Sequence, residues 1–214
     1  MFVLIDEKIE AYCEAHSSCE STLLAKLNRE THLKILRPRM LSGHLQGGLL
    51  TMLSKMIAPK YILEIGTYTG YSALCLAEGL QKGGELHTIE IDEELEDFIQ
   101  SFFEKSDLRS QIKLHIGNAL TLVPEIQRTW DLVFIDAEKK EYLSYYNAVL
   151  PSVRKGGFIL VDNVLWSGKV METVTGNDEE TKAILAFNNY IRNDDRVRNL
   201  LLPFRDGIMM IEKL

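Results

Sequence analysis

The chain has 214 residues, 46% hydrophobic and 26% charged, with a formal net charge of -7 and three cysteines. That length suits one well-buried α/β domain, and the acidic balance offers no global attraction for phosphate backbones. An odd cysteine count without C-x-x-C spacing argues against a disulfide framework or a zinc site and suits the reducing cytosol.

The opening MFVLIDEKIE is neither a signal peptide nor a membrane span, and no later run is long enough to be one. Residues 5–16 and 20–30 read as two short helices broken at Ser17-Ser18, with Ser21 a candidate cap. Their apolar positions Ile9, Tyr12, Leu23, Leu24 and Leu27 form a face for the domain or for a second subunit. Residues 1–36 thus read as a helical appendage within a single domain, 1–214. Arg37-Pro38-Arg39 ends this pattern, and Met40 to Gly43 leads into a helix through Met56 that Pro59 closes.

The stretch ILEIGTYTGYS, 62–72, combines a buried apolar strand, a glycine turn and the start of an apolar-periodic helix. Gly66 allows close backbone approach to a ligand, and Gly70 allows the helix start to pack on the strand. A dinucleotide fingerprint needs glycine where Tyr68 and Tyr71 stand, so the pattern, beginning at Glu64, is E-x-G-x-x-x-G. It suits an adenosine without a pyrophosphate. Strand 85–91 follows and carries Glu90 at the offset where an acid accepts ribose hydroxyls. S-adenosylmethionine fits both features; an ordinary strand-turn-helix is the bland alternative.

Strands at 61–66, 85–91, 111–117, 130–136 and 156–162 alternate with helices at 71–81, 93–105, 119–128 and 139–150. Alternation of this kind predicts an α/β, Rossmann-like, doubly wound and mostly parallel sheet with helices on both faces. After a helix at 178–193, runs at 197–202 and 207–213 sit too close for a crossover. They predict an antiparallel C-terminal edge pair and seven strands in total.

Two strands end in carboxylates: WDLVFID at Asp136, and GFILVD at Asp162, followed by Asn163. Ligands of open α/β sheets bind at such strand ends, so the three side chains meet there. Two carboxylates and an amide oxygen suit Mg²⁺ or another hard divalent cation such as Mn²⁺ or Ca²⁺. A single strand-terminal Asp is as readily a helix cap. Lys139 can face the same pocket as a base, because a neighbouring cation disfavours an ammonium ion; its charge pattern alone reads as solvated surface, like Glu138, Lys140 and Glu141. The chemistry that joins these parts is attack of a metal-stabilised phenolate on a sulfonium methyl, since a free phenol with pKa near 10 is mostly protonated.

The five histidines show no ligand spacing; His87 and His115 read as sheet residues, and His44 could reach the pocket. No G-x-S-x-G or nucleophile-base constellation supports covalent catalysis. Arg205-Asp206-Gly207 reads as a turn in which Asp206 could face the pocket, and Tyr142, Leu143, Tyr145 and Tyr146 as packing.

Together LEIGTYTGYS, TIEID, VFIDAEKKEYLSYY, GGFILVDNVLWSGKV and PFRDGIMM resemble the cation-dependent class I O-methyltransferases of the catechol and caffeoyl-CoA type, from about Arg37 to the C-terminus. The resemblance implies metal ligands at Asp136, Asp162 and Asn163, with Lys139 as the base. It implies that Glu64, Gly66, Tyr68 and Ser72 build the methionine site, with Asp136 bordering the cofactor. Glu90 would take the ribose, Asn118 and Ala119 would flank the adenine, and Met40 to Ser42 would close over the cofactor. Trp166 would line the acceptor pocket beside a loop through Gly176. Ala137-Glu138, where the animal catechol enzymes carry aromatic bulk, places the chain nearer the bacterial and plant branch. A small phenolic acceptor and a cytoplasmic homodimer follow from the likeness.

Two other functions compete. One is methylation of a hydroxylated uridine in transfer RNA, which needs a basic surface such as Arg37, Arg39, Lys169 and Lys182. The other is a non-catalytic binding module, for which the set Asp136, Lys139, Asp162 and Asn163 has no use.

Overall fold

Runs of branched and aromatic residues with little polar alternation need cover on both faces, and a parallel sheet flanked by helices supplies it. In a computed structural model describing residues 7–174 and 176–214, the helices α1 (Glu7–Ala15), α2 (Thr22–Lys34) and α3 (Gly43–Ile57) come first. Strands and helices then alternate: β1 (Tyr61–Ile65), α4 (Tyr71–Ala77), β2 (Glu85–Glu90), α5 (Glu96–Phe103), β3 (Ile112–Ile116), α6 (Ala119–Glu125), β4 (Trp130–Ile135), α7 (Tyr142–Val149) and β5 (Val153–Val161). The chain closes with α8 (Glu179–Arg192), β6 (Val197–Leu202) and β7 (Ile208–Lys213).

The seven strands form one sheet in the order β3-β2-β1-β4-β5-β7-β6. Strands β1 to β5 are parallel, and β7 runs antiparallel between β5 and β6. The expected C-terminal antiparallel pair is present, with β7 as its inner member. Because β1 pairs with β2 on one side and β4 on the other, the chain reverses its direction of travel across the sheet between β1 and β4. A crevice opens where that happens.

Alternate residues of each central strand feed two cores. Ile62, Leu132 and Phe134 pack with α2, α3, α4 and α5, while Leu63, Ile65, Val133 and Ile135 pack with α6, α7 and α8. Tyr142, Tyr145 and Tyr146 belong to the second core, as packing predicts. Ser21 caps α2, its hydroxyl accepting the Leu24 N–H at 3.2 Å. Leu24 and Leu27 are buried in the first core, whereas Ile9 and Tyr12 on α1 stay exposed. The apolar face of α2 therefore packs on the domain.

Several boundaries differ from expectation. Helices expected at 93 and 139 begin as tight 3-10 turns, and α6 stops at Glu125 after Pro124. Strand β5 starts at Val153, which pairs with Trp130 before a register shift. The apolar run at the N-terminus, the first two positions of the helix expected at 5–16 and position 175 lie outside the described residues. Cys13, Cys19 and Cys75 are free thiols. Among the described residues no helix is long and apolar enough to cross a membrane.

Candidate active site

A cavity of about 520 Å³ lies at the crevice, beyond the carboxyl ends of β1, β2, β4 and β5. Its floor is set by Gly66, where φ is +100° and a Cβ would stand 2.0 Å from the Asp136 carbonyl oxygen. The turns leaving β1 and β4 thus touch backbone to backbone, locked by the Asp136 N–H donating to Ile65 O at 2.9 Å. At Gly70 a Cβ would meet the Phe103 ring at 2.6 Å. Helix α5, and not the strand expected from sequence, is what that glycine accommodates.

On one side, Tyr68, Ser72, Glu90, Gly117 and Ala119 line the cavity. The Glu90 carboxylate accepts the Tyr68 N–H at 2.6 Å and the Ile91 and Asp92 N–H groups at 3.0 Å each. Burial pushes its carboxyl above the ordinary range despite those donors. Oε1 takes the last two of these donors and Oε2 only the first, so Oε2 retains lone-pair capacity for a further hydroxyl. Asn118 is not among the lining residues; its Oδ1 caps α6 by accepting the Leu120 N–H at 2.8 Å. Glu64 lies fully buried behind the wall, accepting the Thr88 hydroxyl, and burial pushes its carboxyl up to about 8. Tyr68 Oη shares its proton between the carbonyls of Leu36 at 3.0 Å and Arg37 at 3.2 Å. That contact fastens the segment carrying Met40 and Ser42 across the mouth, where both line the cavity.

On the other side the ends of β4 and β5 bring Asp136, Asp162 and Asn163 together, as their positions predict. Asp162 is 4% exposed, and burial, followed by the Asp136 charge, pushes its carboxyl up to about 7. It accepts the Asn163 N–H at 2.7 Å and, at 2.6 Å, the side-chain amide of Gln46 on α3. Asn163 adopts φ +59° and donates through Nδ2 to Asp206 Oδ2 at 3.4 Å, leaving its Oδ1 free among the described residues. Lys139 Nζ donates to Asp136 Oδ1 at 3.0 Å and lies 5.9 Å from the centre of the Trp166 ring. Its side chain is only 14% exposed, so the solvated reading of its charge does not hold. The 3-10 turn at 139–141 folds it back over the end of β4. The Trp166 indole N–H is buried with no partner among the described residues.

Comparison with known proteins decides the family. The O-methyltransferase family model matches residues 14–214. The chain belongs to the O-methyltransferase family. It is 32% identical over 217 aligned positions to "Probable caffeoyl-CoA O-methyltransferase 2" of Dictyostelium discoideum, covering 99% of this chain and 94% of that one. Caffeoyl-CoA O-methyltransferase 1 of Zea mays is 32% identical over 183 positions, covering 79% and 70%. Among solved structures, the SAH-bound Podospora anserina methyltransferase PaMTH1 superposes with a TM-score of 0.89 at 29% identity, covering 97% and 94%. The O-methyltransferase from Bacillus cereus in complex with SAH gives 0.87 at 28%, covering 97% of each chain.

In this O-methyltransferase the two lists of residues picked out by pattern, the glycine-turn set and the carboxylate set, face one cavity. Of the residues expected to hold the cofactor, cation or acceptor, only Glu64 and Asn118 do not line it. Asp206 does line it, while His44, Lys169 and Lys182 do not. Gln46 and Arg205 were not picked out as site residues: a glutamine inside a helix and an arginine in a turn carry no motif.

Proposed function

We propose that this O-methyltransferase transfers the methyl group of S-adenosylmethionine to one hydroxyl of a vicinal dihydroxy aromatic, assisted by a hard divalent cation, Mg²⁺ foremost. The observation that carries the reading is the meeting of Asp136, Lys139, Asp162 and Asn163 in the cavity that also holds Gly66, Ser72 and Glu90. The SAH-bound neighbours support the methyl donor, and the caffeoyl-CoA relatives support the acceptor class.

The donor set fits such a cation. All three atoms on offer are oxygens, and two of them belong to neighbouring carboxylates; burial, and then the Asp136 charge, raises the Asp162 proton affinity. Among the described residues no three His, Cys, Asp or Glu side chains gather as metal ligands, so the set is two carboxylates and one amide. Asp136, Asp162 and Asn163 would hold the cation, whose charge would favour the phenolate form of the acceptor.

The chain's own residues do the rest. Gly66, Tyr68 and Ser72 hold the methionine end, bounded by Asp136, with Glu64 packed behind them. Glu90 accepts a ribose hydroxyl at Oε2, and Ala119 flanks the adenine while Asn118 caps α6 behind it. Met40 to Ser42, fastened through Tyr68, exclude water from the mouth. Lys139 takes the acceptor's proton at Nζ, and Trp166 forms the wall that orients the ring. Rate then comes largely from alignment of the attacking oxygen with the methyl carbon.

The test is methyl transfer from labelled S-adenosylmethionine to simple catechols and caffeate, with Mg²⁺ and with excess chelator. Turnover that chelator abolishes supports the reading; turnover indifferent to chelator removes the cation from it. Transfer RNA is the second reading, favoured by Arg37 and Arg39 at the cavity. Lys169 and Lys182 lend it less, being paired with Asp178 at 3.3 Å and Glu179 at 2.8 Å. Salt-insensitive or absent binding of transfer RNA counts against it. A homodimer is part of the proposal, supported by exposed Ile9 and Tyr12 on α1 and Met52 and Met56 on α3; sedimentation tests it.

A further inference from the structure

Arg205 occupies the turn between β6 and β7 with φ +48°, a left-handed backbone that glycine adopts freely and a long side chain does not. Because Met209 at the start of β7 pairs with Val161 at the end of β5, that turn stands over the ends of the parallel strands. Its side chain lines the cavity beside Asp162, Asn163, Trp166 and Asp206. This is the side away from Glu90 and Ala119.

The guanidinium is poorly matched by the protein. Its one hydrogen bond among the described residues is donated by Nη1 to Gln46 Oε1, at 3.2 Å. It makes no ion pair with a described carboxylate; the negative charge of Asp206, its neighbour in the chain, acts on it only at longer range. A half-buried guanidinium has five N–H donors in a planar fork, and leaving most of them unmatched is costly. The fork suits a carboxylate, which it grips with two parallel bonds. The Gln46 amide joins Arg205 to Asp162, accepting from the first through Oε1 and donating to the second through Nε2 at 2.6 Å. A single side-chain amide therefore separates the guanidinium from Asp162, one of the proposed cation ligands. Helix α3 begins beside it without a side-chain cap, and its N-terminus adds to the positive field.

We propose that Arg205 receives a carboxylate carried on the acceptor's ring, so that the preferred acceptors are anionic catechols. This rests on the acceptor reading above. The methyl donor also carries a carboxylate, but Gly66 and Ser72, where its methionine end is placed, follow β1, which β4 and β5 with the proposed cation ligands separate from β7 and the Arg205 turn in the sheet.

The experiment compares kcat/KM for 3,4-dihydroxybenzoate and for catechol in the wild type, Arg205→Gly and Arg205→Lys. Glycine suits φ +48° and keeps the turn. The preference for the carboxylated acceptor is expected to fall on the order of 10- to 100-fold in Arg205→Gly and to be partly kept in Arg205→Lys. Equal losses on both acceptors would overturn the proposal, showing that Arg205 only positions Gln46. Weakened S-adenosylhomocysteine binding with an unchanged acceptor preference would assign the carboxylate to the methyl donor and also overturn it. Independently of turnover and of the cation, benzoate binding to the S-adenosylhomocysteine-loaded protein in chelator, followed by NMR, should weaken by a similar factor in Arg205→Gly. Equal benzoate binding by both proteins refutes the anion site. Arg205-dependent benzoate binding without methylation of either catechol supports the anion site and condemns the catechol reading instead.

Discussion

Gln46 Nε2 donates to Asp162 Oδ2 across 2.6 Å, joining the first turn of α3 to the end of β5 over 116 positions of sequence. The amide cannot be reversed, because Arg205 can only donate to its oxygen and the carboxylate can only accept from its nitrogen. Removing it takes a charge-assisted bond from a buried carboxylate. Gln46→Leu is expected to weaken Mg²⁺ binding roughly 10- to 100-fold, the usual effect of losing a partner of a metal ligand. Titration calorimetry on the S-adenosylhomocysteine complex measures it; unaltered affinity would separate Gln46 from the cation.

Metal affinity should also depend on pH in a stated direction. The Asp162 carboxyl is pushed up to about 7 by burial and by Asp136, and a protonated carboxyl does not ligate. Below about pH 7 protons compete with the cation, so Mg²⁺ affinity should drop by up to about tenfold per pH unit and level off above it. Asp162→Asn should abolish this dependence and most of the activity while S-adenosylhomocysteine still binds. An affinity flat across neutral pH in the wild type contradicts the assignment.

Glu64 gives a second signature, in stability. Burial raises its carboxyl from 4.5 in the unfolded chain to about 8 in the folded one. The folded state therefore holds the proton longer, so this residue's stabilising contribution is full below about pH 4.5 and is lost as pH rises toward 8. The slope is up to about 1.4 kcal/mol per pH unit. Glu64→Gln has nearly the same shape and cannot ionise. Its chemical-denaturation midpoint should lack that share of the decline; parallel pH profiles for the two proteins would refute the shift.

Gly66→Ala places a methyl 2.0 Å from the Asp136 carbonyl oxygen at φ +100°. Neither backbone can yield without separating β1 from β4 at the site. A loss on the order of 3 kcal/mol or more is expected, read from the denaturant midpoint, together with loss of S-adenosylhomocysteine binding. A loss below about 1 kcal/mol would mean that the turns are not held in contact.

Much of the site was legible because its residues sit where strands end. The apolar runs of β1, β4 and β5 specify buried parallel strands, and period-two alternation then sends Ile62 to one core and Leu63 to the other. Asp136 and Asp162 follow the runs of β4 and β5 directly and Glu90 closes β2, so a parallel sheet brings them to one edge whatever the intervening loops do. Lys139 shows the limit of that logic. Its charged neighbours read as surface, and only the 3-10 turn that folds it back over β4 makes it a cavity residue.

By itself the sequence determined the mostly parallel sheet, its antiparallel C-terminal pair and the strand-end carboxylates, because hydrophobic period and strand polarity are local properties of the chain. Tertiary structure alone decided that Gln46 grips Asp162, that Arg205 turns its guanidinium into the cavity, and that Gly70 makes room for Phe103. Those contacts join residues far apart in sequence through packing and turn geometry. No periodicity encodes which side chains two distant elements press together.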